Sequence, residues 1–318
     1  MLRRLLFCLA LVATSAAFAQ DWPKKAVRVV VPNSAGSLSD LVARLVFARV
    51  SDLLGQQFYI DNRPGAGGSI GAEFAAKSPP DGYTIIQISD GTVTVNPFIY
   101  PKLGYDPLRD FAPVSLVTKL TQALYVNGSL GPKTLEEFVQ MARANPGKLT
   151  FASGGNGHAT HLAMGLFLWK ANLQLVHVPY KGTGPALQAA AAGEVSALMI
   201  ATSIAQPFVA SGKLIPLATV GATSPEVLPG VPPLASRFPD SELDSWQAVA
   251  APAKTPPEIV RVLHDAIAKA LASPDIRDKL KAGGTDAVAS TPEELGELVR
   301  EEYARNRELL KRLNLKVD

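Results

Sequence analysis

The 318-residue chain has a single cysteine and little net charge. That cysteine is Cys8, so the chain beyond its first residues offers no thiol nucleophile, no disulfide and no cysteine ligand for a metal. The 31 basic and 28 acidic side chains give a formal charge of +3, which supplies no basic field of the kind that nucleic-acid binding needs. We therefore expect neither a disulfide scaffold nor a nucleic-acid-binding protein.

Long apolar runs are missing beyond the N-terminus. Two arginines precede an uncharged run rich in alanine and leucine over Leu5–Ala17, and Ala17–Ala19 has the small-x-small form of a signal-peptidase site. At about 13 residues this run is shorter than the ~20 that a membrane-spanning helix needs. We predict a signal peptide over residues 1–19, cleavage after Ala19 and a protein of the bacterial periplasm; a membrane anchor is the alternative.

Short β-branched runs alternate with helical segments along the remaining chain, whose length suggests two domains. Val27–Val31 has the length and composition of a buried strand, and Leu38–Leu54 carries apolar residues at helical spacing behind a cap at Ser37 or Ser39. Residues 221–245 hold five prolines and are expected to cross irregularly between elements. The alternation predicts an α/β fold with mostly parallel sheets.

Four small, polar loops follow predicted strands. Ligands of open α/β sheets bind at the carboxyl ends of the strands, where loops run into helix N-termini that suit an oxyanion. Any one of these loops is also explained as an ordinary capped turn, but several together favour an anionic ligand. The candidate binding residues are Asn33, Ser34, Ala35, Gly36, Ser37, Ser39 and Asp40, then Ser89, Gly91 and Thr92, then Ser153, Gly154, Gly155 and Asn156, and then Tyr180, Lys181, Gly182 and Thr183.

Motifs for catalysis or cofactor binding are incomplete. The stretch Gly65–Gly71 resembles a dinucleotide-binding loop, but Ile70 occupies the position of the third glycine. Ser69 fits Gly-x-Ser-x-Gly without following directly from a strand, as a nucleophile elbow must. His158 and His161 lack an evident third zinc ligand. We predict no metal, no cofactor and no enzyme; a secreted α/β hydrolase-like enzyme is the alternative, since triad residues can come from distant positions.

Several motifs in one order resemble a known family. Asp61–Gly68 reads Asp-Asn-Arg-Pro-Gly-Ala-Gly-Gly, Pro80–Thr84 reads Pro-Asp-Gly-Tyr-Thr, and Tyr180–Gly182 reads Tyr-Lys-Gly. With the flanking Trp22–Pro32 and Tyr105–Val114 stretches, these motifs resemble the Bug family, the extracytoplasmic solute-binding proteins of tripartite tricarboxylate transporters. The resemblance covers essentially the whole chain beyond the predicted signal peptide.

The resemblance implies a periplasmic-binding-protein type II fold. This fold is a Venus flytrap of two α/β domains joined by crossing hinge strands, here near Gln122–Val126 and Leu217–Val220. Domain 1 is expected to combine residues 20–123 with 223–318, and domain 2 to span residues 124–222. The ligand is expected in the cleft between the two domains.

The resemblance also implies binding rather than catalysis. A small organic carboxylate is expected to be held by the loops Ser34–Ser39 and Lys181–Gly184, with Ser89–Thr92 and Ser153–Asn156 lining the rest of the cleft. The expected partners are this carboxylate and the membrane permease subunits that receive it; the protein itself is expected to be a monomer. A sensor protein that presents its ligand to a receptor is a further alternative.

Two positions depart from the family pattern. Ser37 stands where the first loop commonly has a second glycine, and Ile200–Ser203 holds no acid where the family commonly has an aspartate. Losing that acid disfavours a cationic amine on the ligand, while the expected class stays organic carboxylate. Thr202 in this segment, and His158 with Thr160 at the cleft rim, are added as candidate polar contacts.

Overall fold

The computed structural model describes residues 22–156, 158–180, 183–221, 228–241, 243, 245–282 and 284–313. The predicted signal peptide and its cleavage site lie outside the described residues, and so do Gly157, Lys181 and Gly182. The described chain forms one six-stranded and one five-stranded sheet with helices packed on them. We call the six-stranded sheet with its helices the first lobe and the five-stranded sheet with its helices the second lobe.

The elements alternate as the sequence predicts. In chain order the strands are β1 (Val27–Val31), β2 (Phe58–Asn62), β3 (Thr84–Ser89), β4 (Phe111–Leu120), β5 (Gln122–Asn127), β6 (Thr150–Ser153), β7 (Val176–Pro179), β8 (Ala197–Ala201), β9 (Leu214–Thr219), β10 (Ser245–Pro252) and β11 (Asp286–Ala287). The helices are α1 (Leu38–Leu54), α2 (Ser69–Ala76), α3 (Asn96–Ile99), α4 (Leu135–Ala144), α5 (Ala159–Ala171), α6 (Thr183–Ala192), α7 (Thr202–Ala210), α8 (Pro257–Ala272), α9 (Pro274–Ala282) and α10 (Pro292–Leu313). Shorter helical turns cover Ala66–Gly68, Gly91–Val95 and Leu234–Ser236.

Local sequence sets the bounds of α1. Ser37 is extended and its hydroxyl accepts the Asp40 N–H at 3.3 Å, which caps the helix. Gly55 ends the helix in the left-handed region at φ 66°. Val42 and Val46 belong to the apolar cluster that also contains the β1 side chains. The predicted helix over Leu38–Leu54 is therefore confirmed, and its apolar stripe faces the first sheet.

The first sheet has the strand order β11-β4-β10-β3-β1-β2. Both of its faces are buried, because Val29 lies in one apolar cluster and its neighbour Val30 in another. The second sheet has the order β7-β6-β8-β5-β9 and is buried in the same way, with Leu124 and Tyr125 of β5 in different clusters. Burial on both faces explains why these strands are continuous apolar runs instead of alternating ones.

The prediction of mostly parallel sheets is wrong, because both sheets are mixed. In the first, β1 runs parallel to β2 and β3, but β10 runs antiparallel to β3 and β4. In the second, β6 runs parallel to β7 and β8, but β5 runs antiparallel to β8 and β9. The antiparallel strands β5 and β10 are those by which the chain enters a sheet from the other lobe. Both strands start at the edge of the sheet where the parallel strands end. They therefore run antiparallel to those strands.

The two passages between the lobes lie side by side. The first is Thr121, between β4 and β5, whose carbonyl accepts the Thr202 N–H at 3.0 Å. The second leads from β9 to β10, where the Gln122 side-chain amide donates to the Ser245 hydroxyl at 3.2 Å and the Val220 N–H donates to the Gln122 carbonyl at 2.8 Å. These hydrogen bonds tie both passages together at the carboxyl edges of the sheets.

Packing adds detail to the predicted division into domains. Leu234 and Phe238, from the passage between β9 and β10, lie in the apolar cluster of the second lobe, and Phe238 meets Phe167 edge-on at 5.7 Å. Leu309 and Leu310 at the end of α10 join the same cluster. The bounds 20–123, 124–222 and 223–318 stay a prediction; the contacts show that the C-terminal part of the chain also packs on the second lobe.

One close contact bridges the lobes away from the passages. Gly284, between α9 and β11 in the first lobe, approaches Ser203 at the start of α7 in the second so closely that a Cβ on the glycine would lie 2.1 Å from the Ser203 Oγ. Gly284 also has a positive φ of 80°. Gly230 has nearly the same φ of 79° with nothing within 4 Å of an added Cβ, so it is a matched control.

We expect Gly284→Ala to push the lobes apart, whereas Gly230→Ala meets only the conformational strain, which is about 1–2 kcal/mol for an L-residue in this region. Small-angle scattering should give a larger radius of gyration for Gly284→Ala than for Gly230→Ala. Adding Ser203→Gly to Gly284→Ala should restore the smaller value. Equal scattering from the two single variants would contradict the bridging role of this contact.

Candidate functional site

The polar loops of each lobe meet at the carboxyl edge of its sheet. In the first lobe, a Cβ on Gly68 would lie 3.2 Å from the Pro32 side chain and 3.3 Å from the Thr92 hydroxyl, so the loops after β1, β2 and β3 touch. In the second, the Tyr180 N–H donates to the Ser153 carbonyl at 3.0 Å, which joins the loops after β6 and β7. Both carboxyl edges also lie beside the passages of the chain between the lobes. Open α/β sheets bind their ligands at the carboxyl ends of the strands. We call this region the cleft edge.

The loop between β1 and α1 is held from behind by the buried carboxylate of Asp40. One oxygen accepts the Gly36 N–H and the Arg44 Nε–H, both at 2.9 Å, and the other accepts from the Asn62 amide at 2.9 Å. The Asn62 amide also donates to the Asn33 carbonyl at 3.1 Å. Burial acts to raise the pKa of Asp40, but these hydrogen bonds and the Arg44 charge keep it below its usual value. Asp40 is therefore ionised at neutral pH, and both oxygens are engaged inside the protein.

The outer part of this loop is exposed and presents backbone donors. Ser34, Ala35 and Gly36 are exposed, and the Ser37 N–H donates to the Ser34 carbonyl at 3.1 Å to close the turn. The N–H groups of Ser34 and Ala35 have no acceptor within the described parts of the chain. Gly36 has a φ of 79°, a conformation that glycine adopts without strain. Two unused N–H groups beside the N-terminus of α1 suit an oxyanion.

Three other predicted residues of this loop turn inward. Ser37 caps α1 and has an extended φ of −69°, so this position does not require the glycine common in the family. The buried Ser39 donates its hydroxyl to Gln247 at 3.0 Å and accepts from the Gln87 amide at its carbonyl at 2.8 Å. Asp40 has the contacts given above. These residues shape the loop, and their contact with a ligand stays a prediction.

Ser89, Gly91 and Thr92 lie at the end of β3 and mostly serve local structure. The Ser89 and Thr92 hydroxyls are 3.1 Å apart, and the Thr92 N–H donates to the Ser89 oxygen at 3.3 Å. Thr92 is buried, and its carbonyl accepts the Tyr105 hydroxyl at 2.6 Å. Ser89 and Gly91 are half-buried, so they are the members of this group that keep some exposure at the cleft edge.

Asp90 places an unpredicted carboxyl beside the passages between the lobes. Desolvation raises its pKa from 3.8 to about 7, and the nearby charge of Glu302 adds to this; hydrogen bonds from Gly91, Ser245 and Trp246 oppose the rise. Glu302 is itself buried and accepts the Trp246 indole N–H at 2.9 Å. Asp90 as a residue is half-buried. It therefore titrates near neutral pH, unlike the Asp40 carboxyl.

The loop between β6 and α5 combines a serine-held turn with a histidine cap. The Ser153 hydroxyl oxygen accepts the Gly155 N–H at 3.1 Å, and the Gly154 N–H donates to the Thr160 hydroxyl at 3.0 Å. His158 is exposed, and its Nδ1 accepts the Thr160 N–H at 3.2 Å, which caps α5. The Asn156 side chain is exposed at the tip of the loop. His158 and Thr160 thus have structural contacts; their contact with a ligand stays a prediction.

Three flat rings stack behind this loop. The His161 and His177 rings are 3.8 Å apart and nearly parallel at 18°, and Phe151 stacks on His177 at 4.7 Å and 16°. Desolvation lowers the pKa of the buried His161 to about 4, with further contributions from His177 and His158. Desolvation also lowers the pKa of His177. Both stacked imidazoles are therefore neutral near neutral pH.

The remaining predicted residues lie in two further loops of the second lobe. Tyr180 and Thr183, on either side of Lys181 and Gly182, are half-buried, and Thr183 begins α6. Lys181 and Gly182 themselves lie outside the described residues, so their predicted role is untested. Thr202 is buried at the start of α7, with its N–H on the Thr121 carbonyl. The geometry places Thr202 at a passage between the lobes.

Three residues that the sequence did not predict hold the loop between β1 and α1 in place; they are Asn62, Gln87 and Gln247. Asn62 lies in the motif Asp61–Gly68, but nothing in its spacing shows that it reaches back to Asn33 and Asp40. Gln87 is buried in β3, and Gln247 is half-buried in β10. A glutamine within an apolar segment is a signal, because a buried amide needs hydrogen-bond partners.

Neither metal chemistry nor membrane insertion finds support in the described residues. Across the described ranges, there is no group of three or more His, Cys, Asp or Glu side chains that could hold a metal ion. Within the same ranges, no helix is both long enough and apolar enough to cross a bilayer.

Comparisons with known proteins agree with this geometry. The profile described as tripartite tricarboxylate transporter family receptor matches residues 42–315. The structure of the periplasmic binding protein BugD is 29% identical with a TM-score of 0.72, over 93% of this chain and all of that one. Rpa4515 of R. palustris, solved with adipate, is 34% identical with a TM-score of 0.76 over the same shares. MatC of Rhodopseudomonas palustris, solved with bound malate, is 33% identical with a TM-score of 0.72, over 91% of this chain and all of MatC.

These likenesses confirm the predicted fold class, two α/β lobes of the periplasmic-binding-protein type. BugD is described as a periplasmic binding protein, and the matching family is described as a transporter receptor; binding is also the role that the sequence predicts for this chain.

We expect Asp40→Asn to destabilise the loop between β1 and α1. The neutral amide lacks the negative charge that pairs with Arg44 and that strengthens the hydrogen bond from the Gly36 N–H. Loss of such charged hydrogen bonds costs about 1–3 kcal/mol of unfolding free energy. Urea unfolding and amide hydrogen exchange at Ser34–Gly36 measure this. Asp52→Asn, on the exposed face of the same helix, is the control. Equal effects of the two variants would show that Asp40 does not hold the loop.

We expect Asp90→Asn to change how stability depends on pH. Because the pKa of Asp90 is about 7 in the folded protein and ordinary when unfolded, its stabilising contribution is complete below about pH 4 and is lost as pH rises through 7. Asp90→Asn should therefore gain stability relative to the parent protein between pH 4 and 8, measured by urea unfolding. A difference that does not vary with pH would refute the raised pKa.

Proposed function

The chain belongs to the tripartite tricarboxylate transporter receptor family, and we propose that it captures a small organic carboxylate at its cleft edge for delivery to the membrane permease of such a transporter. The observation that carries the proposal is a pair of backbone N–H groups, at the exposed residues Ser34 and Ala35 beside the N-terminus of α1, that have no acceptor in the described parts of the chain. Backbone donors at a helix N-terminus bind carboxylates without a side-chain cation.

The class of ligand follows from the relatives and from the charges of the cleft edge. The structure of MatC contains malate and that of Rpa4515 contains adipate, and both ligands are dicarboxylates. MatC is 33% and Rpa4515 34% identical to this chain in sequence. The Asp40 carboxylate is engaged inside the protein, and Ile200–Ser203 contains no acid to pair with an amine. A cationic amine therefore finds no acid in Ile200–Ser203 and no free oxygen on Asp40, whereas an anion meets the Ser34 and Ala35 N–H groups.

The mechanism we propose is closure around the ligand. One carboxylate group binds the first loop, and the loops Ser153–Asn156 and Lys181–Gly184 of the second lobe complete its coordination. Because the passages between the lobes are short and the lobes carry separate sheets, a ligand that contacts both lobes selects the closed arrangement. The closed form then docks on the permease. The protein acts as a monomer in the periplasm after cleavage at Ala19.

A thermal-shift screen of the protein, unfolded and refolded to remove bound ligand, tests the ligand class. The panel contains adipate, malate, citrate, benzoate and the diamine putrescine. Ligand at about 100 times its dissociation constant adds roughly 2.7 kcal/mol to stability, so at least one carboxylate should raise the melting temperature by several degrees, and putrescine should not. A shift with putrescine alone, or with no carboxylate, would contradict the proposal.

Gly36→Val supplies the matched variant for the same screen. Its φ of 79° strains any branched side chain, and the change alters the loop that presents the donors. Gly147→Val carries similar strain at φ 69° and also meets nothing within 4 Å, but Gly147 lies at the opposite end of β6. Gly36→Val should abolish the carboxylate shift while Gly147→Val keeps it; the reverse result would remove the first loop from the site.

A further inference from the structure

His177 makes a short hydrogen bond that takes no direct part in the proposed binding of the ligand. Its Nε2 lies 2.6 Å from the Ser153 hydroxyl, across the parallel pair of β6 and β7. Ser153 is 1% exposed and His177 is half-buried, so the hydroxyl end of this hydrogen bond is shielded from water. Neutral imidazole has one donor and one acceptor nitrogen, and a serine hydroxyl can serve either.

The Ser153 hydroxyl in turn holds a glycine turn. Its oxygen accepts the Gly155 N–H at 3.1 Å and lies 3.1 Å from the Gly155 carbonyl. Gly155 has a φ of 127°, and a Cβ there would lie 3.4 Å from the Tyr180 carbonyl. The turn after β6 therefore packs directly on the Tyr180 backbone at the end of β7. One hydroxyl thus links the two loops of the second lobe at the cleft edge.

Two neighbouring rings fix the imidazole in place. His177 stacks on His161 at 3.8 Å and on Phe151 at 4.7 Å. His161 is buried on α5, the helix that begins just after the turn. Stacking of flat rings restricts the tilt of His177 and leaves its Nε2 aimed at Ser153. The lowered pKa values of both histidines agree with a stack of neutral rings.

We propose that His177 is a positioning residue for ligand binding: through the Ser153 hydroxyl it holds the Gly154–Gly155 turn against the Tyr180 backbone, so that this turn and the Tyr180 backbone act as one preformed surface. The inference rests on the proposed carboxylate binding at the cleft edge. It assigns His177 no contact with the ligand itself. A surface that is already ordered loses less conformational entropy on binding, which strengthens affinity.

Three variants separate this role from general packing. His177→Phe keeps a flat ring in the stack and removes the nitrogen that meets Ser153. His177→Gln loses the ring but its amide can reach the Ser153 hydroxyl, so it is the conservative variant. His161→Phe keeps a ring beside His177 and leaves the hydrogen bond to Ser153 in place, so it is the control for disturbing the stack.

The first readout needs no ligand. Amide hydrogen exchange at Gly155 reports whether its N–H is still held by the Ser153 oxygen. We expect exchange about tenfold faster in His177→Phe, equivalent to ~1.4 kcal/mol, and close to the parent rate in His177→Gln and His161→Phe. Exchange that accelerates equally in His177→Phe and His161→Phe would reduce His177 to a packing residue and overturn the proposal.

The second readout is calorimetric affinity for malate and adipate. His177→Phe should weaken the binding of whichever probe the parent protein binds by about tenfold, while His177→Gln and His161→Phe stay within about threefold. Unchanged affinity in His177→Phe would refute the coupling to binding while leaving the carboxylate function intact. If the parent protein binds neither probe, the same comparison uses the carboxylate that stabilises it most in the thermal-shift panel. A parent protein that binds no carboxylate of that panel contradicts the proposed ligand class, and the exchange at Gly155 still decides whether His177 holds the turn.

Discussion

The architecture depends on one constraint: in the described residues, both passages of the chain between the sheets start and end at the carboxyl edges of the sheets. Thr121 joins β4 to β5 there, and the passage from β9 reaches β10 on the same side. A strand entering from that edge has to run antiparallel to the strands that end at it. This one requirement makes both sheets mixed, and it also brings the strand-to-helix loops of the two lobes to a shared region. The binding site and the passages between the lobes are therefore neighbours by construction.

Polar side chains support the site from behind in both lobes. In the first, the Asp40 carboxylate holds the loop that exposes the Ser34 and Ala35 N–H groups. In the second, the Ser153 hydroxyl holds the turn at Gly155. Each support is buried, so its hydrogen bonds are made with the protein and not with water. This arrangement suits anion binding. The buried Asp40 and Ser153 side chains order the backbone of the loops, and the Ser34 and Ala35 N–H groups remain available to a ligand.

Local sequence predicted the elements well and their neighbours poorly. The bounds of β1, α1 and α4 follow from β-branched runs, capping residues and helical spacing, all of which act within a few residues. The helix α7 was missed, because it is short and contains Pro207. Strand direction was also missed, because it depends on where the chain enters the sheet. The resemblance to a family supplied the two-lobed fold, which no local pattern contains.

The site was predicted as a set of loops but not as a set of roles. Ser34, Gly36, Ser39 and Asp40 were all predicted to contact the ligand, but Ser34 and Gly36 are exposed, whereas Ser39 and Asp40 of the same loop are buried. Their direction depends on Gln247 and Asn62, which are distant in sequence. The roles of Asp90 and His177 were not predicted, because they depend on residues distant in sequence. The pKa of Asp90 depends on burial and on Glu302, and the position of His177 depends on Ser153 and the rings stacked on it.

A crystal structure of the protein with the carboxylate that stabilises it most tests the central claim directly. The account predicts a carboxylate group within hydrogen-bond distance of the Ser34 and Ala35 N–H groups, with its other end touching the second lobe. A ligand bound away from these donors, or touching one lobe alone, would contradict it.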